Sequence, residues 1–304
     1  GLLMRKNKKF SGVIVPAVTP LTVRLELDEE AVARLFDLFY QYSISPFILG
    51  TTGESASLPV SVKEDFVRVA GLCKKPGTML YAGISSNVLR ESVAFAYYCA
   101  DHGVDALAVT LPSYYSLTPA QMHQYFLLLA NAVPLPLIIY NIPATTHMSI
   151  PLELVDTLSH HPNIVATKDS ERSEERLAKS LELWKDRDDF GHFLGWAAKS
   201  AEALIGGSDG LIPSTGNLVQ WIYADMLKAV ETADIAKAYK MQELSDAYGN
   251  IYQGNKTLGE SLWALKALMQ YKHICGDTVM PPLQAMNEEE KQRLIISYDS
   301  LKGW

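Results

Sequence analysis

The sequence has little cysteine, and the cysteines that it has are isolated. Cys73, Cys99 and Cys275 are the three cysteines among 304 residues, and none of them shows CxxC or CxxH spacing. This pattern predicts neither a disulfide framework nor a structural zinc site. We therefore expect a protein of a reducing compartment, the cytoplasm.

Positively charged residues are also fewer than negatively charged ones. The formal net charge is -7, which disfavours binding to nucleic acids or to anionic membranes. No stretch approaches the ~18 apolar residues of a membrane helix. Pro16, Pro20 and Arg24 interrupt the segment after the basic start at Met4 to Lys9, so we expect no signal peptide. The remaining expectation is a globular protein with a small-molecule site.

Two motif classes are missing. Neither GxGxxG nor GxxxxGK[ST] follows the first β-rich run, as an open nucleotide-binding sheet would require. The histidines other than His147 show no HExxH or facial-triad spacing, so we expect no metal site. These histidines are His102, His123, His160, His161, His192 and His273.

Short β-rich runs and amphipathic stretches alternate through the first three quarters of the chain. The eight candidate strands are Gly12–Val15, Pro46–Leu49, Met79–Ala82, Asp105–Val109, Pro136–Tyr140, Ile164–Thr167, Phe190–Leu194 and Gly210–Ile212. The candidate helices between and after them are Glu29–Tyr42, Val62–Cys73, Arg90–Asp101, Pro119–Ala132, Pro151–Leu158, Glu174–Trp184, Ser200–Ile205 and Leu218–Thr232.

Eight strand-helix units predict an α/β fold, a (β/α)8 TIM barrel, in preference to a doubly wound open sheet. The barrel would occupy residues 1–232 and carry the active site. After Thr232 the strand pattern stops, and Ala233–Tyr252, Thr257–Tyr271 and Asn287–Leu301 read as helices. Residues 233–304 are therefore predicted to form a C-terminal helical appendage.

Chemistry-bearing residues follow several of these strands, where a barrel of this type places its site. Gly50-Thr-Thr-Gly-Glu54 follows strand two and predicts a tight turn with exposed N–H groups and hydroxyls, suited to a carboxylate, although an ordinary turn has the same pattern. Strand five ends in Tyr140-Asn-Ile-Pro143, which places a phenol at the barrel mouth as a proton donor or as a rim anchor. Lys168 follows strand six.

Lys168 is either a surface lysine or a nucleophilic amine whose stem lies among apolar neighbours. Its convergence with Tyr140 and the Gly50–Glu54 turn at one barrel mouth favours the nucleophile. Strand eight leads into Gly210–Asn217, whose glycines permit close approach of the backbone to a ligand. The pair Tyr114 and Tyr115 after strand four is more typical of a buried interface than of chemistry.

At these motifs the chain resembles the dihydrodipicolinate synthase and N-acetylneuraminate lyase family of Schiff-base aldolases. The resemblance covers nearly the whole chain. It implies that Lys168 condenses with the keto carbon of pyruvate or another 2-oxo acid, and that Tyr140 shuttles protons. It also implies that Thr52 links Tyr140 to Tyr115, with Tyr115 reaching in from a neighbouring subunit of a homotetramer built as a dimer of dimers.

The same resemblance implies the substrate-binding residues. Gly50 and Thr51 would hold the substrate carboxylate together with Thr52, and the backbone of Ile212 would face the proton-transfer residues. Gly195, Ser214, Thr145 and His147 complete the expected binding set, although for His147 a rim position without a role is the favoured interpretation. No metal or organic cofactor is expected, because the lysine supplies the electrophilic centre.

Two departures from the family pattern bear on the aldehyde partner. Thr145 stands where dihydrodipicolinate synthases carry an arginine, and Gly195-Trp-Ala-Ala198 replaces the Gly-Tyr-Asp-Glu motif of sialic acid lyases. Asp169-Ser170 and Leu211-Ile-Pro213 resemble the branch that cleaves 2-keto-3-deoxy sugar acids. That substrate class is the leading hypothesis, ahead of a dihydrodipicolinate synthase, an N-acetylneuraminate lyase and a non-catalytic 2-oxo acid binder.

Overall fold

Eight parallel strands close into a barrel in chain order, and β1 pairs with β8 to complete the ring. The structure is a computed structural model that describes residues 8–301. The signal-peptide prediction rests partly on residues 4–7, which lie outside this range. The predicted (β/α)8 barrel is confirmed.

The strands agree closely with the predicted runs, with one informative exception. They are β1 Gly12–Pro16, β2 Ser45–Ile48, β3 Tyr81–Gly83, β4 Ala106–Thr110, β5 Leu137–Asn141, β6 Ile164–Asp169, β7 Gly191–Leu194 and β8 Gly210–Leu211. The sixth strand continues beyond Thr167, because Lys168 and Asp169 stay in register with Tyr140 and Asn141. Lys168 therefore lies within a strand rather than after one.

Helices alternate with the strands and then form the C-terminal tail. They are α1 Glu29–Gln41, α2 Val60–Cys73, α3 Leu89–Asp101, α4 Pro119–Ala132, α5 Pro143–Thr146, α6 Leu152–Leu158, α7 Glu174–Trp184, α8 Ser200–Ile205, α9 Trp221–Glu231, α10 Ile235–Gln253, α11 Leu258–Tyr271 and α12 Glu288–Leu301. The short α5 was not predicted. Pro143 starts it, since proline has a fixed φ that suits the first helical position and needs no N–H partner there.

Polar side chains define where many of these helices begin. Asp28, Ser173 and Asp234 each accept a hydrogen bond from a first-turn backbone N–H. Thr118 and Thr257 form reciprocal capping boxes with Gln121 and Glu260. Each such cap stabilises its helix by about 1 kcal/mol, so local sequence fixes these boundaries.

Side chains fill the barrel interior, so the site lies at the mouth rather than in a pore. Strands alternate inward and outward residues, and the inward set includes large aromatics that pack across the axis. This buried set comprises Phe10, Ile14, Phe47, Tyr81, Ala106, Ala108, Ile138, Tyr140, Ile142, Ala166, Phe193 and Ile212.

The helical tail packs onto the barrel and shares its outer hydrophobic core. Trp263 and Leu265 of α11 belong to the same buried cluster as Leu35 of α1 and Val109 of β4. The predicted tail helices are confirmed, while the domain boundary at residue 233 stays a prediction. Across residues 8–301, no helix has both the length and the apolar character needed to span a membrane.

Candidate active site

The turn after β2 is built by its own backbone hydrogen bonds. Glu54 N donates to Thr51 O at 3.0 Å, and the Thr19 hydroxyl donates to Gly53 O at 2.6 Å. A Cβ on Gly53 would lie 3.1 Å from Ala17 O, closer than backbone atoms readily permit. The turn therefore favours glycine there, and it presents Thr51 and Thr52 half-buried at the barrel mouth.

Tyr140 points into the barrel mouth from β5 and is almost fully buried. Thr51 Oγ1 lies 3.2 Å from Tyr140 Oη, within hydrogen-bond distance. Burial by itself raises the pKa of Tyr140, but the nearby Lys168 ammonium and the Thr51 hydroxyl outweigh it, so the net pKa is lowered. A phenol with a lowered pKa exchanges protons more readily, as a proton shuttle must.

Lys168 stands opposite Tyr140 in the strand register and is 5% exposed. Its Nζ lies 4.1 Å from the centre of the Tyr140 ring and 5.3 Å from that of Phe47. Within residues 8–301, Lys168 forms no ion pair with a carboxylate. Aromatic faces rather than an anion hold its amine, so a substrate does not have to displace a salt bridge.

Asn141 and Asp169 follow Tyr140 and Lys168. Their side chains lie on the opposite face of the barrel wall and connect β5 to β6. Asn141 Nδ2 donates to Asp169 Oδ1 at 3.1 Å and to Glu171 Oε2 at 2.9 Å. Arg176 Nε donates to Asp169 Oδ2 at 2.6 Å, and both side chains are largely buried. Charge-assisted hydrogen bonds of this kind are strong, so the network fixes the register that brings Lys168 beside Tyr140.

Tyr140 lines a cavity of about 540 Å³. Its walls carry many neutral hydroxyl and amide groups, and Thr145 lies among them. The polar lining residues are Thr51, Ser55, Ser57, Lys63, Ser85, Ser86, Asn87, Thr110, Ser113, Thr145 and Thr146, together with Glu54. No arginine belongs to this lining in the described part of the chain.

The structure brings Lys168, Tyr140, Thr51 and Gly50 together, with Thr145 nearby. The predicted relay through Thr52 needs correction, because the hydroxyl that meets Tyr140 belongs to Thr51. Two adjacent residues of a turn project differently, and among the described contacts none joins Thr52 to Tyr140. Tyr115 is 75% exposed and makes its ring contact with Tyr114, so this chain alone does not complete the relay.

The remaining predicted binding residues fall into different settings. Ile212 is buried in the barrel interior, and its N–H donates to Leu194 O at 3.1 Å. Gly195 packs so closely on the β6 end that an added Cβ would lie 2.2 Å from Ser170 Oγ. The Ser214 hydroxyl lies 2.6 Å from Tyr252 Oη of α10, within hydrogen-bond distance.

His147 ends α5 in the left-handed region with φ of 62°, and its side chain is exposed. That conformation explains why a glycine suits this position. None of the described histidines, cysteines and carboxylates form a group of three that could hold a metal ion.

The sequence reasoning missed a buried ion pair next to the site. Lys266 Nζ lies 2.6 Å from Glu54 Oε2, and both side chains are almost completely buried. One signal was present: Lys266 is the only charged residue within the apolar stretch Leu262 to Met269. Lysine in such a stretch requires a partner, because a buried charge without one is costly.

Comparison with known proteins identifies the family. The family model described as the dihydrodipicolinate synthetase family matches residues 9–297. The chain belongs to this family. A relative from Methanosarcina mazei, 4-hydroxy-tetrahydrodipicolinate synthase, is 30% identical over 233 residues, which cover 76% of this chain and 79% of that protein. The predicted enzyme class, a carbon–carbon lyase of this family, is confirmed.

Solved structures show the same relationship. YagE of Escherichia coli K12, solved in complex with pyruvate, matches with a TM-score of 0.91 at 26% identity and covers 97% of this chain and 99% of that chain. YagE has the provisional name 2-dehydro-3-deoxy-D-gluconate aldolase. Dihydrodipicolinate synthase from Bacteroides thetaiotaomicron matches with a TM-score of 0.89 at 26% identity, over the same shares of the two chains.

Proposed function

We propose that this chain is a class I aldolase that forms a Schiff base between Lys168 and pyruvate or another 2-oxo acid. One observation carries the proposal. Lys168 Nζ lies 4.1 Å from the Tyr140 ring centre, while the Tyr140 hydroxyl lies 3.2 Å from Thr51 Oγ1. A nucleophilic amine and a proton donor with its own relay partner are the minimum set for this chemistry.

The proposed reaction begins when the Lys168 amine attacks the keto carbon and water leaves, giving a protonated imine. Loss of a proton from C3 then gives an enamine, whose C3 attacks the aldehyde carbon while the aldehyde oxygen takes up a proton. Water finally hydrolyses the imine, which releases the product and restores Lys168. Cleavage runs the same steps in reverse, and Lys168 itself supplies the electron sink without another cofactor.

Tyr140 is the proposed proton shuttle at the imine and at the aldehyde oxygen. Its lowered pKa, which results from Lys168 and Thr51 outweighing burial, supports that role. The Gly50–Glu54 turn is the proposed carboxylate site, where the N–H groups and hydroxyls of Thr51 and Thr52 would bind the carboxylate.

For the aldehyde partner we propose a neutral, hydroxyl-bearing molecule, so that the full substrate is a 2-keto-3-deoxy sugar acid or a related hydroxylated 2-oxo acid. The cavity next to Tyr140 presents Ser85, Thr110 and Thr145 rather than an arginine. Hydroxyls match sugar hydroxyls, whereas a second carboxylate is best held by a bidentate guanidinium. The likeness to YagE supports this choice.

The second candidate is 4-hydroxy-tetrahydrodipicolinate synthase, which condenses pyruvate with aspartate semialdehyde. The 30% identity to the Methanosarcina mazei enzyme favours it. Thr145 or His147 would then have to receive the carboxylate of the semialdehyde. Comparing turnover of 2-keto-3-deoxygluconate with turnover of pyruvate plus aspartate semialdehyde ranks the two candidates, and faster turnover of the semialdehyde pair would reverse our order.

We also propose the homotetramer built from two dimers. Tyr114 and Tyr115 are 80% and 75% exposed in the single chain and pack edge to face at 5.0 Å. Such exposed aromatics are typical of interface cores, which supports coverage by a second subunit. Sedimentation velocity of the wild type and of Tyr114→Ser checks the assembly. The cytoplasmic location stays a prediction from the isolated cysteines.

Borohydride reduction with pyruvate tests the Schiff base directly. We expect one reduced adduct, carried by the peptide that contains Lys168, and no adduct in Lys168→Ala. The matched control is Lys199→Ala, which removes a surface lysine that pairs with Glu174 at 2.7 Å and should keep the adduct. A wild-type protein without any adduct would contradict the proposed mechanism.

A further inference from the structure

The buried pair Glu54 and Lys266 joins the candidate carboxylate turn to the helical tail. Their charged atoms lie 2.6 Å apart, and the exposed fractions of the side chains are 0% and 1%. Glu54 closes the Gly50–Glu54 turn on the barrel, whereas Lys266 lies in the middle of α11. The two residues therefore form a direct physical link between the site and the C-terminal region.

Each member of the pair has further partners that come from the tail. Lys266 Nζ also donates to Thr278 O at 2.7 Å, and Glu54 Oε1 accepts from Met280 N at 2.7 Å. Both carboxylate oxygens of Glu54 are thus held by the segment around α11. Charge-assisted bonds in such buried surroundings have a narrow range of allowed geometry, so the carboxylate has one defined position.

The position of Glu54 fixes the position of Thr51 through a backbone hydrogen bond. Glu54 N donates to Thr51 O at 3.0 Å, and Glu54 has a left-handed φ of 61° that a non-glycine residue adopts only at a cost. The pair with Lys266 supplies the contact that offsets this cost. Thr51 in turn places its hydroxyl 3.2 Å from Tyr140 Oη, so the chain of contacts runs from α11 to the proton-transfer residue.

We propose that Glu54 and Lys266 are positioning residues that hold Thr51 and the turn N–H groups in the geometry that binds the substrate carboxylate. This inference rests on the proposed function of the turn. It gives the helical tail a part in binding, because the tail contributes Lys266 and the two backbone groups at Thr278 and Met280. In this role the pair acts through the turn rather than as a catalytic group.

The test compares a charge-neutral double variant with a matched buried pair elsewhere. Glu54→Gln combined with Lys266→Met removes both charges, and replacing both members of a buried pair costs far less stability than removing one. The control, Lys8→Met combined with Asp209→Asn, removes another buried pair at 2.8 Å. Lys8 and Asp209 lie just before β1 and β8, at the opposite rim of the barrel.

The readout is the KM for pyruvate and the rate of borohydride trapping at saturating reductant. A smaller folded fraction lowers the apparent kcat but leaves KM unchanged, so KM separates positioning from stability. We expect the Glu54/Lys266 variant to raise KM for pyruvate on the order of ten- to a hundredfold, since a displacement near 1 Å can cost that much. The Lys8/Asp209 variant should keep the wild-type KM.

A wild-type KM in the Glu54/Lys266 variant, with normal trapping, would show that the pair is only structural and would overturn the inference. Equal KM increases in both double variants would overturn it as well, because the effect on KM would then not be specific to the pair beside the turn. If the double variant fails to fold, Glu54→Gln combined with Lys266→Gln gives the same comparison of KM, since two neutral amides remove the ion pair without leaving a buried charge unpaired. Absence of trapping in the wild type would instead refute the proposed function.

Discussion

The substitution Thr51→Val tests which of the two adjacent threonines of the turn is the relay partner of Tyr140. Valine keeps the β-branched shape but removes the hydroxyl that lies 3.2 Å from Tyr140 Oη. Because Tyr140 loses its relay partner, we expect kcat to fall while the protein folds normally. Thr52→Val is the matched control, since it removes the neighbouring hydroxyl, which the structure does not place on Tyr140.

The size of the effect follows from the kind of hydrogen bond that is lost. A hydrogen bond to a charged group contributes about 1.5–3 kcal/mol. Each 1.36 kcal/mol corresponds to a factor of ten in rate. If the Tyr140 phenolate forms during proton transfer, Thr51→Val should lower kcat roughly 10- to 150-fold.

The variant should also move the pH dependence of the reaction. The Thr51 hydroxyl is one of the groups that lower the pKa of Tyr140 against the effect of burial. Removing it raises the pKa of Tyr140, so the limb of kcat/KM that reports this phenol should shift to higher pH. Only a shift to higher pH agrees with the contact between Thr51 and Tyr140, and a shift to lower pH would contradict it.

Steady-state kinetics and the pH profile of both variants provide the assay. For Thr52→Val we expect mainly a higher KM for pyruvate, because its hydroxyl is proposed to bind the carboxylate. A larger fall in kcat for Thr52→Val than for Thr51→Val would refute the relay through Thr51. It would restore the sequence-based prediction that Thr52 is the relay residue.

Three further predictions concern the phenol, the aldehyde and the fold. Tyr140→Phe should lower kcat about 10²- to 10⁴-fold with unchanged circular dichroism, and full activity would contradict the shuttle. Thr145→Arg should raise kcat/KM for aspartate semialdehyde relative to a neutral hydroxyaldehyde on the order of tenfold, as measured by competition. Burial lowers the pKa of His192 from its ordinary 6.5 to about 4. Stability should therefore be complete above pH 6.5 and fall by about 3 kcal/mol as the pH drops from 6.5 to 4, whereas urea unfolding of His192→Gln should show a flatter dependence.

The barrel was predictable because its pattern is local and repeated. Each β-rich run and each amphipathic stretch carries its own signal, and caps such as Thr118 fix helix starts within one turn of sequence. The end of β6 was not predictable in this way. Lys168 and Asp169 are polar and look like a loop, and only pairing with Tyr140 and Asn141 keeps them in the strand.

Contacts within the site were harder to predict than its location. The motif order placed Lys168, Tyr140 and the Gly50–Glu54 turn at one mouth, but it did not tell Thr51 from Thr52. The direction of each side chain depends on backbone angles in the turn, which the residue types leave open. The partner of Glu54 is 212 residues away in the chain, a separation that no local pattern reports.

The inward and outward residues of β5 and β6 contribute to the site in different ways. Tyr140 and Lys168 face the barrel interior, while Asn141 and Asp169, one residue further on, face out and bond each other at 3.1 Å. Because strand residues alternate strictly, fixing the outward pair fixes the inward pair as well. The proposed bond-making chemistry is therefore tied to the strands. The proposed aldehyde partner, in contrast, would meet loop and helix-end residues such as Thr145, which can change without moving Lys168.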